Sequence, residues 1–287
     1  MSGVRIPSFA PIFQLKFLNI VNIYCSFQKL NIKTFLMKDS LVHKYFEEQA
    51  KLGVWDELYN PNNPLSHSFI HRFNKSVKLI EDLNGKKICD LGCGTAILIP
   101  FVLYSNGKYT GVDNSKEMVN VINKKFFKEL ETKTIDLKSC DLRDLNINEK
   151  YDVIFGLGFI EYFDNPDLIL EKMDSLLNNN GQIILSFPNL LSLDYLMVKI
   201  FFMFRLMFRK KTNTPPRNMW TVDSAKKMFA RRGFNKIKII NYNTNLFIYP
   251  FTRIIPKFSN FFGNFFENSF LSRISFFSTG FIISAKK

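Results

Sequence analysis

The stretch KKICDLGCGTA, residues 86–96, constrains this chain more than any other. An apolar run, Ile88-Cys89, leads to a carboxylate, Asp90, and then to a glycine-rich turn, Gly92-Cys93-Gly94. An apolar run that stops at glycines predicts a buried parallel strand feeding a tight turn. AILIPFVL, residues 96–103, is apolar enough to be a helix packed back on the sheet. Glycines let the backbone approach a ligand with no Cβ in the way. The amides that open the following helix then face that ligand. Asp90 is placed to accept hydrogen bonds from a ligand amine or an ordered water.

YTGVDNS, residues 109–115, predicts a second strand ending in an acid, Asp113, 21 residues after Gly92. In nucleoside-binding α/β folds an acid there hydrogen-bonds the ribose hydroxyls. Gly92 and Gly94 fit a dinucleotide fingerprint, but Ile97 stands where its third glycine belongs. The run Asp-Leu-Gly-Cys-Gly-Thr-Ala instead resembles the first motif of class I S-adenosylmethionine-dependent methyltransferases. In that family the last position is usually glycine; here it is Ala96. The resemblance implies S-adenosylmethionine as cofactor, with Asp90, Gly92, Cys93, Gly94, Asp113 and Asn114 around it.

Later segments extend the resemblance. KTIDLKSCDLRDL (133–145) predicts a strand with Asp141 at its end. In the family an acid here often meets the adenine amino group. Asp141 and Asp144 compete for that role, and Asp141 follows the strand directly. Leu142 and Leu157 complete the implied cofactor set. YDVIFGLGFIEYF (151–163) is an apolar strand ending in a glycine-rich turn, and its Glu161-Tyr162 stands where many relatives have Glu-His. NPDLILEKMDSLLNNNGQIILSFPN (165–189) reads as a helix, an Asn-Gly turn and a strand. TVDSAKKMFARRGFNKIKIINYN (221–243) reads as a helix, a stop at Gly233 and a strand; STGFIISAKK (278–287) reads as a last strand. Alternating strands and helices predict a doubly wound α/β sheet. The family implies a Rossmann-like, seven-stranded, mostly parallel sheet with an antiparallel last strand and a helical lid insertion.

The flanks carry the remaining expectations. Residues 1–36 form a poorly defined extension, with no clean signal-peptide core and no run of about 18 apolar residues. Met37 is expected to be the natural start, and a short membrane-seeking arm is the alternative. The methyltransferase domain is then 37–287. Residues 40–59 predict a helix whose Tyr45, Phe46, Trp55 and Tyr59 pack a core; the family places such a segment over the cofactor. Residues 66–83 predict a second helix with Ser66 as N-cap. His67 and His71 share one face of it, but no third ligand accompanies them, so no metal is expected. With Glu161 they are the candidate bases for an oxygen or nitrogen acceptor.

Residues 190–211 are helical in length and very apolar, yet Asp194, Lys199 and Arg205 argue against a membrane span. The segment occupies the place where quinone-precursor methyltransferases insert a membrane-contacting helix, and 190–219 is expected to be the lid. YPFTRIIPKFSNFFGNFFENSF (249–270) reads as an aromatic, basic connection.

The formal net charge of +14 is unevenly placed. Residues 190–287 hold 17 Lys+Arg against 3 Asp+Glu, and residues 1–189 balance at 22 of each. A basic third points to an anionic partner. Its apolar helix and aromatics, including Trp220, Phe247, Tyr249, Phe251, Phe258 and Phe261, favour a membrane surface met through 190–211, with Arg205, Arg209, Lys210 and Lys211 at its edge. The acceptor is then small or amphipathic: a quinone precursor, a lipid or a sugar, methylated on oxygen or carbon. Nucleic acid is not expected, since no RNA-binding motif is appended and FGLGF lacks the Pro-Pro-aromatic turn of amino-group base methylation. An RNA methyltransferase is the first alternative, a non-catalytic binding relative the second. A dehydrogenase lacks both its third glycine and a catalytic pair. The four cysteines lack zinc-type spacing and call for no disulfide, so a cytoplasmic location is expected, peripheral at the inner membrane face.

Overall fold

In a computed structural model of the chain, which describes residues 38–145, 149–206 and 215–287, the apolar runs pair into one seven-stranded sheet. The strands are β1 (Lys87–Leu91), β2 (Lys108–Asp113), β3 (Ile135–Ser139), β4 (Tyr151–Gly156), β5 (Leu177–Pro188), β6 (Lys236–Thr244) and β7 (Ser278–Lys286). Their spatial order is β3-β2-β1-β4-β5-β7-β6. The pairs among β1 to β5 are parallel; β7 runs antiparallel between β5 and β6. This is the doubly wound sheet that the pattern predicts, with the antiparallel last strand that the resemblance implies.

The helices are α1 (Lys38–Lys51), α2 (Val54–Leu58), α3 (His67–Val77), α4 (Ile99–Tyr104), α5 (Lys116–Lys125), α6 (Phe127–Glu131), α7 (Pro166–Ser175), α8 (Leu193–Leu206), α9 (Val222–Ala230), α10 (Phe251–Ile254) and α11 (Pro256–Glu267). Central strands bury both faces, as near-continuous apolar runs must: Ile88, Cys89 and Leu91 of β1 are fully buried. One core packs Ile154, Leu185 and Phe281 against Met173 of α7 and Phe229 of α9. The other packs Ile88, Phe155 and Ile282 against Phe73 of α3 and Ile99 of α4.

Several expected boundaries move. The 40–59 helix breaks at Gly53, whose φ of +66° suits glycine, and continues as α2. Ser66 does precede α3, but its hydroxyl donates to the Asn63 carbonyl and caps nothing. The Asn-Gly pair lies inside β5: Asn180 has φ +64°, and the pairing with β4 shifts register between Tyr151 and Val153. That is a bulge within a strand and not a turn before one. The 249–270 connection is largely helical, forming α10 and α11. Ser115, Asn165 and Thr221 cap α5, α7 and α9 by accepting backbone amides, and Gly233, at φ +82°, ends the turn after α9.

The contact pattern divides the chain into Met1–Leu41 and Val42–Lys287. Of the first unit only 38–41 are described, as the opening turn of α1, so the start at Met37 lies outside the described residues, as do Arg209, Lys210 and Lys211. No helix among the described residues is long and apolar enough to cross a membrane.

Candidate functional site

A cleft opens at the carboxyl ends of β1, β2 and β4, where the strand order reverses; ligands of open α/β sheets bind at such switch points. Its floor is the 92–95 turn. Gly92 and Gly94 have φ of +67° and +54°, and a Cβ at Gly92 would meet the Phe159 ring at 2.5 Å. The first glycine is thus required by conformation and by space. Ala96 shares the left-handed backbone, at φ +53°, and is fully buried. Glycine's place in the family motif has its physical reason there, because L-residues are strained by roughly 1–2 kcal/mol in that region.

Asp113, at the end of β2, accepts the Gly94 amide (2.9 Å) on one oxygen and the Ser115 amide (2.9 Å) on the other. It therefore ties the glycine turn to the start of α5. Ser115 in turn donates to Glu47 of α1 at 2.5 Å. Asp90 is buried and accepts a hydrogen bond from the Tyr109 hydroxyl at 2.9 Å. Burial pushes the Asp90 carboxyl up to about 7, against the pull of Tyr109 and helped by the nearby Asp113. Burial raises Asp113 as well, opposed by its two amides. A bound cation would relieve both groups.

Of the expected residues, Asp90, Gly92, Cys93, Gly94, Asp113, Asn114, Asp141, Leu142, Leu157 and Glu161 all line this cleft. Asp144 does not. Asp141 caps the short turn Leu142–Asp144 through the Arg143 amide (2.8 Å) and pairs with the Arg143 guanidinium at 2.7 Å, which holds its carboxyl below the ordinary value. Glu161 is buried, and that burial raises its carboxyl against the nearby charges of Arg72 and Arg217.

His67 and His71 sit elsewhere. They lie on the face of α3 turned from the cleft, where His67 Nδ1 meets Asn243 (3.0 Å) and His71 Nε2 meets Asn264 (2.9 Å). Both are therefore part of the seam that joins α3 to β6 and α11, and neither lines the cleft. Among the described residues no group of three or more His, Cys, Asp or Glu is placed to hold a metal ion. Among the described residues of 190–219 only Arg217 lines the cleft, while α8 packs by β7 and the turn at 275–277. Trp220 is a core residue against Phe187.

The sequence reading missed Arg72. Its guanidinium donates to the Tyr59 hydroxyl (3.1 Å) and lies over Gly158, where a Cβ would meet Nη1 at 2.6 Å. The readable signal was an arginine sharing a helix face with Phe69 and Phe73. Phe46 stacks on Trp55 (5.3 Å between centroids) and meets Tyr162 edge-on (5.0 Å), giving the cleft an aromatic wall. Trp55 Nε1, Arg72 Nε, Thr95 Oγ1 and Glu161 Oε2 are buried polar atoms with no hydrogen-bond partner among the described residues, and all four residues line the cleft. Buried polar groups are rarely left unpaired. Their concentration here suits a polar, cationic ligand seated against aromatic rings.

Residues 82–239 match a family model described as a methyltransferase domain. The chain is 33% identical over 94 residues to a probable (S)-tetrahydroprotoberberine N-methyltransferase 2 of Papaver bracteatum, covering 32% of this chain and 26% of that one. It is 28% identical over 164 residues to a ubiquinone biosynthesis O-methyltransferase of Haemophilus ducreyi, covering 53% of this chain and 66% of the relative. The chain thus spans under two thirds of the length of either. In fold it resembles magnesium protoporphyrin IX methyltransferase from Synechocystis PCC 6803, crystallised with bound SAH, with a TM-score of 0.61 at 17% identity over 87% of this chain and 99% of that one.

Proposed function

Because the chain belongs to the methyltransferase-domain family, we propose that it transfers a methyl group from S-adenosylmethionine to a small or amphipathic acceptor. The observation that carries this is the grip of Asp113 on the Gly94 and Ser115 amides at the mouth of the cleft. Each carboxylate oxygen there keeps a lone pair for a ribose hydroxyl. Asp90 would take the cofactor's amine, Asp141 the adenine amino group, and Leu142 and Leu157 would flank the base. Cys93 and Asn114 complete that shell. Arg72 is suited to the cofactor's carboxylate, since its guanidinium lies over Gly158 and its Nε has no partner among the described residues.

When bound, the cofactor supplies a sulfonium methyl with a good leaving group. The protein's part is then mostly positioning, which can be worth about 7–11 kcal/mol. The rings of Phe46, Trp55 and Tyr162 line the cleft, where they would exclude water and face the sulfonium. Glu161 is the residue placed to hold the acceptor's proton, because its Oε2 is buried with no partner among the described residues and burial raises its carboxyl above the ordinary value. An aromatic hydroxyl, as in a quinone precursor, matches the ring-walled cleft; lipids and sugars are the wider class. Labelled S-adenosylmethionine incubated with quinone-precursor, lipid, sugar and RNA fractions tests the reading. Label in the quinone-precursor fraction is expected. Label in RNA alone would replace this acceptor class, and absence of cofactor binding by calorimetry would make the chain a non-catalytic relative.

A further inference from the structure

Helix α11 is built inside out. Its buried face consists of Ser259, Gly263 and Glu267, and its outward face of Phe258, Phe261 and Phe265, which are 46%, 71% and 67% exposed. At 3.6 residues per turn the three outward rings fall within an arc of about 60°. Polar groups dock the other side. Asn260 donates to the Pro64 carbonyl (2.6 Å), Asn245 to Ser259 Oγ (2.8 Å), and Glu267 accepts Lys75 (2.8 Å) and the amides of Asn243 (3.0 Å) and Thr244 (2.6 Å). Gly263 lies so close to His67 that a Cβ would meet its ring at 2.7 Å. Phe262 and Phe266 turn sideways onto Phe247. In sequence, Ile254, 71% exposed, precedes the helix and Phe270, 70% exposed, follows it.

A helix that spends its polar residues on the protein and its phenylalanines on the outside is made for an apolar medium. The surrounding charge selects which one. Lys257, next to Phe258 in the chain, and Arg273, in the turn that follows the helix, are exposed. Of the three acids in 190–287, Glu267 is buried against Lys75 and Asp194 accepts the Tyr249 amide, which leaves Asp223 on α9 exposed. A phenylalanine stripe rimmed by cations fits the interface of an anionic bilayer. We propose that the outward face of α11, with Ile254 and Phe270, docks the protein on anionic membrane. The contact is thereby assigned to the connection between β6 and β7. α3 carries α11 on one face and lines the cleft with Phe69, Arg72 and Phe73 on the other. Docking would thus hold the cleft about two helix diameters, roughly 20 Å, from the lipid. The proposal does not depend on the acceptor.

The test is flotation of the full chain with vesicles of phosphatidylcholine alone and of phosphatidylcholine with phosphatidylglycerol. Wild type is expected to float with the anionic vesicles at low salt. A Phe258→Ser/Phe261→Ser/Phe265→Ser variant should float at least tenfold less while keeping its melting temperature and its affinity for S-adenosylmethionine. Phe261→Asp alone serves if the triple variant melts early. Lys257→Glu/Arg273→Glu should lose only the preference for anionic vesicles. Equal flotation of wild type and both phenylalanine variants overturns the proposal, as does wild type that stays at the bottom. If light scattering shows a wild-type dimer without lipid and a monomeric triple variant, a second copy of the chain covers the face and the membrane reading falls. Flotation without cofactor binding would sink the proposed function and leave this surface standing.

Discussion

Replacing Glu267 with glutamine should cost about 3 kcal/mol at neutral pH and almost nothing in acid. The carboxylate has 3% of its side chain exposed and accepts Lys75, the Asn243 and Thr244 amides and, at 3.5 Å, His71 Nδ1. Burial alone would raise its carboxyl, but these partners prevail and hold it at about 2, against an ordinary 4.5. A carboxylate depressed by folding contributes stability that is fully present above the unfolded value. That stability is lost as pH falls through the folded value. The interval from 4.5 to about 2 corresponds to about 3 kcal/mol, at 1.36 kcal/mol per pH unit. Glutamine also turns an amide donor toward donors already present. Urea unfolding of both proteins at pH 7, 5, 4 and 3 measures the gap directly, and titrations common to both cancel. The gap should hold from pH 7 to 5 and shrink below 4.5. At pH 7 it should appear as a melting drop of about 6–12 °C. A gap independent of pH, or a variant as stable as wild type, would refute the reasoning.

Three further outcomes follow from the cleft. Asp113→Ala should weaken S-adenosylmethionine binding by about 1–3 kcal/mol, since it removes charge-assisted acceptors, and Asp90→Ala by a similar amount; calorimetry showing both unchanged would remove the cofactor site. Asp90, at about 7 in the free protein, favours the protonated form below that value, so binding of a cation should release a proton and tighten as pH rises from 6 to 8; heats that do not vary with buffer ionisation enthalpy would contradict this. Glu161→Gln should lower turnover by about 10²–10⁴ with cofactor affinity unchanged if the carboxyl acts as base. A fall in affinity with turnover intact would make it the charge partner of Arg72.

The parts of this molecule legible in sequence are those fixed by local patterning. β1, β2 and β4 read clearly because strands buried on both faces must be apolar throughout and must stop at polar or glycine residues. That Asp113 and Asp141 line the cleft could be read from their place at strand ends. Arg72 and Arg217 did not, because their roles arise only when distant segments converge on the cleft. His67 and His71 were misleading for the same reason: the spacing puts them on one helix face but says nothing of Asn243, Asn264 and Glu267 opposite. The 249–270 segment read as a connection because its apolar face points outward, so the usual link between an apolar stripe and a core fails there.

The placement of β7 bears on how the chain is made. β6 pairs with β7, and β7 also covers the outer edge of β5. During synthesis β5 and β6 therefore leave the ribosome before the strand that joins them. Until Ser278–Lys286 emerges, two apolar strand edges wait beside a phenylalanine-rich helix. A ribosome stalled before that point, or a stop codon near residue 277, would leave the first five strands paired and β6 with no partner in the sheet. Such a product is a natural client for holding chaperones, and few late truncations should escape proteolysis.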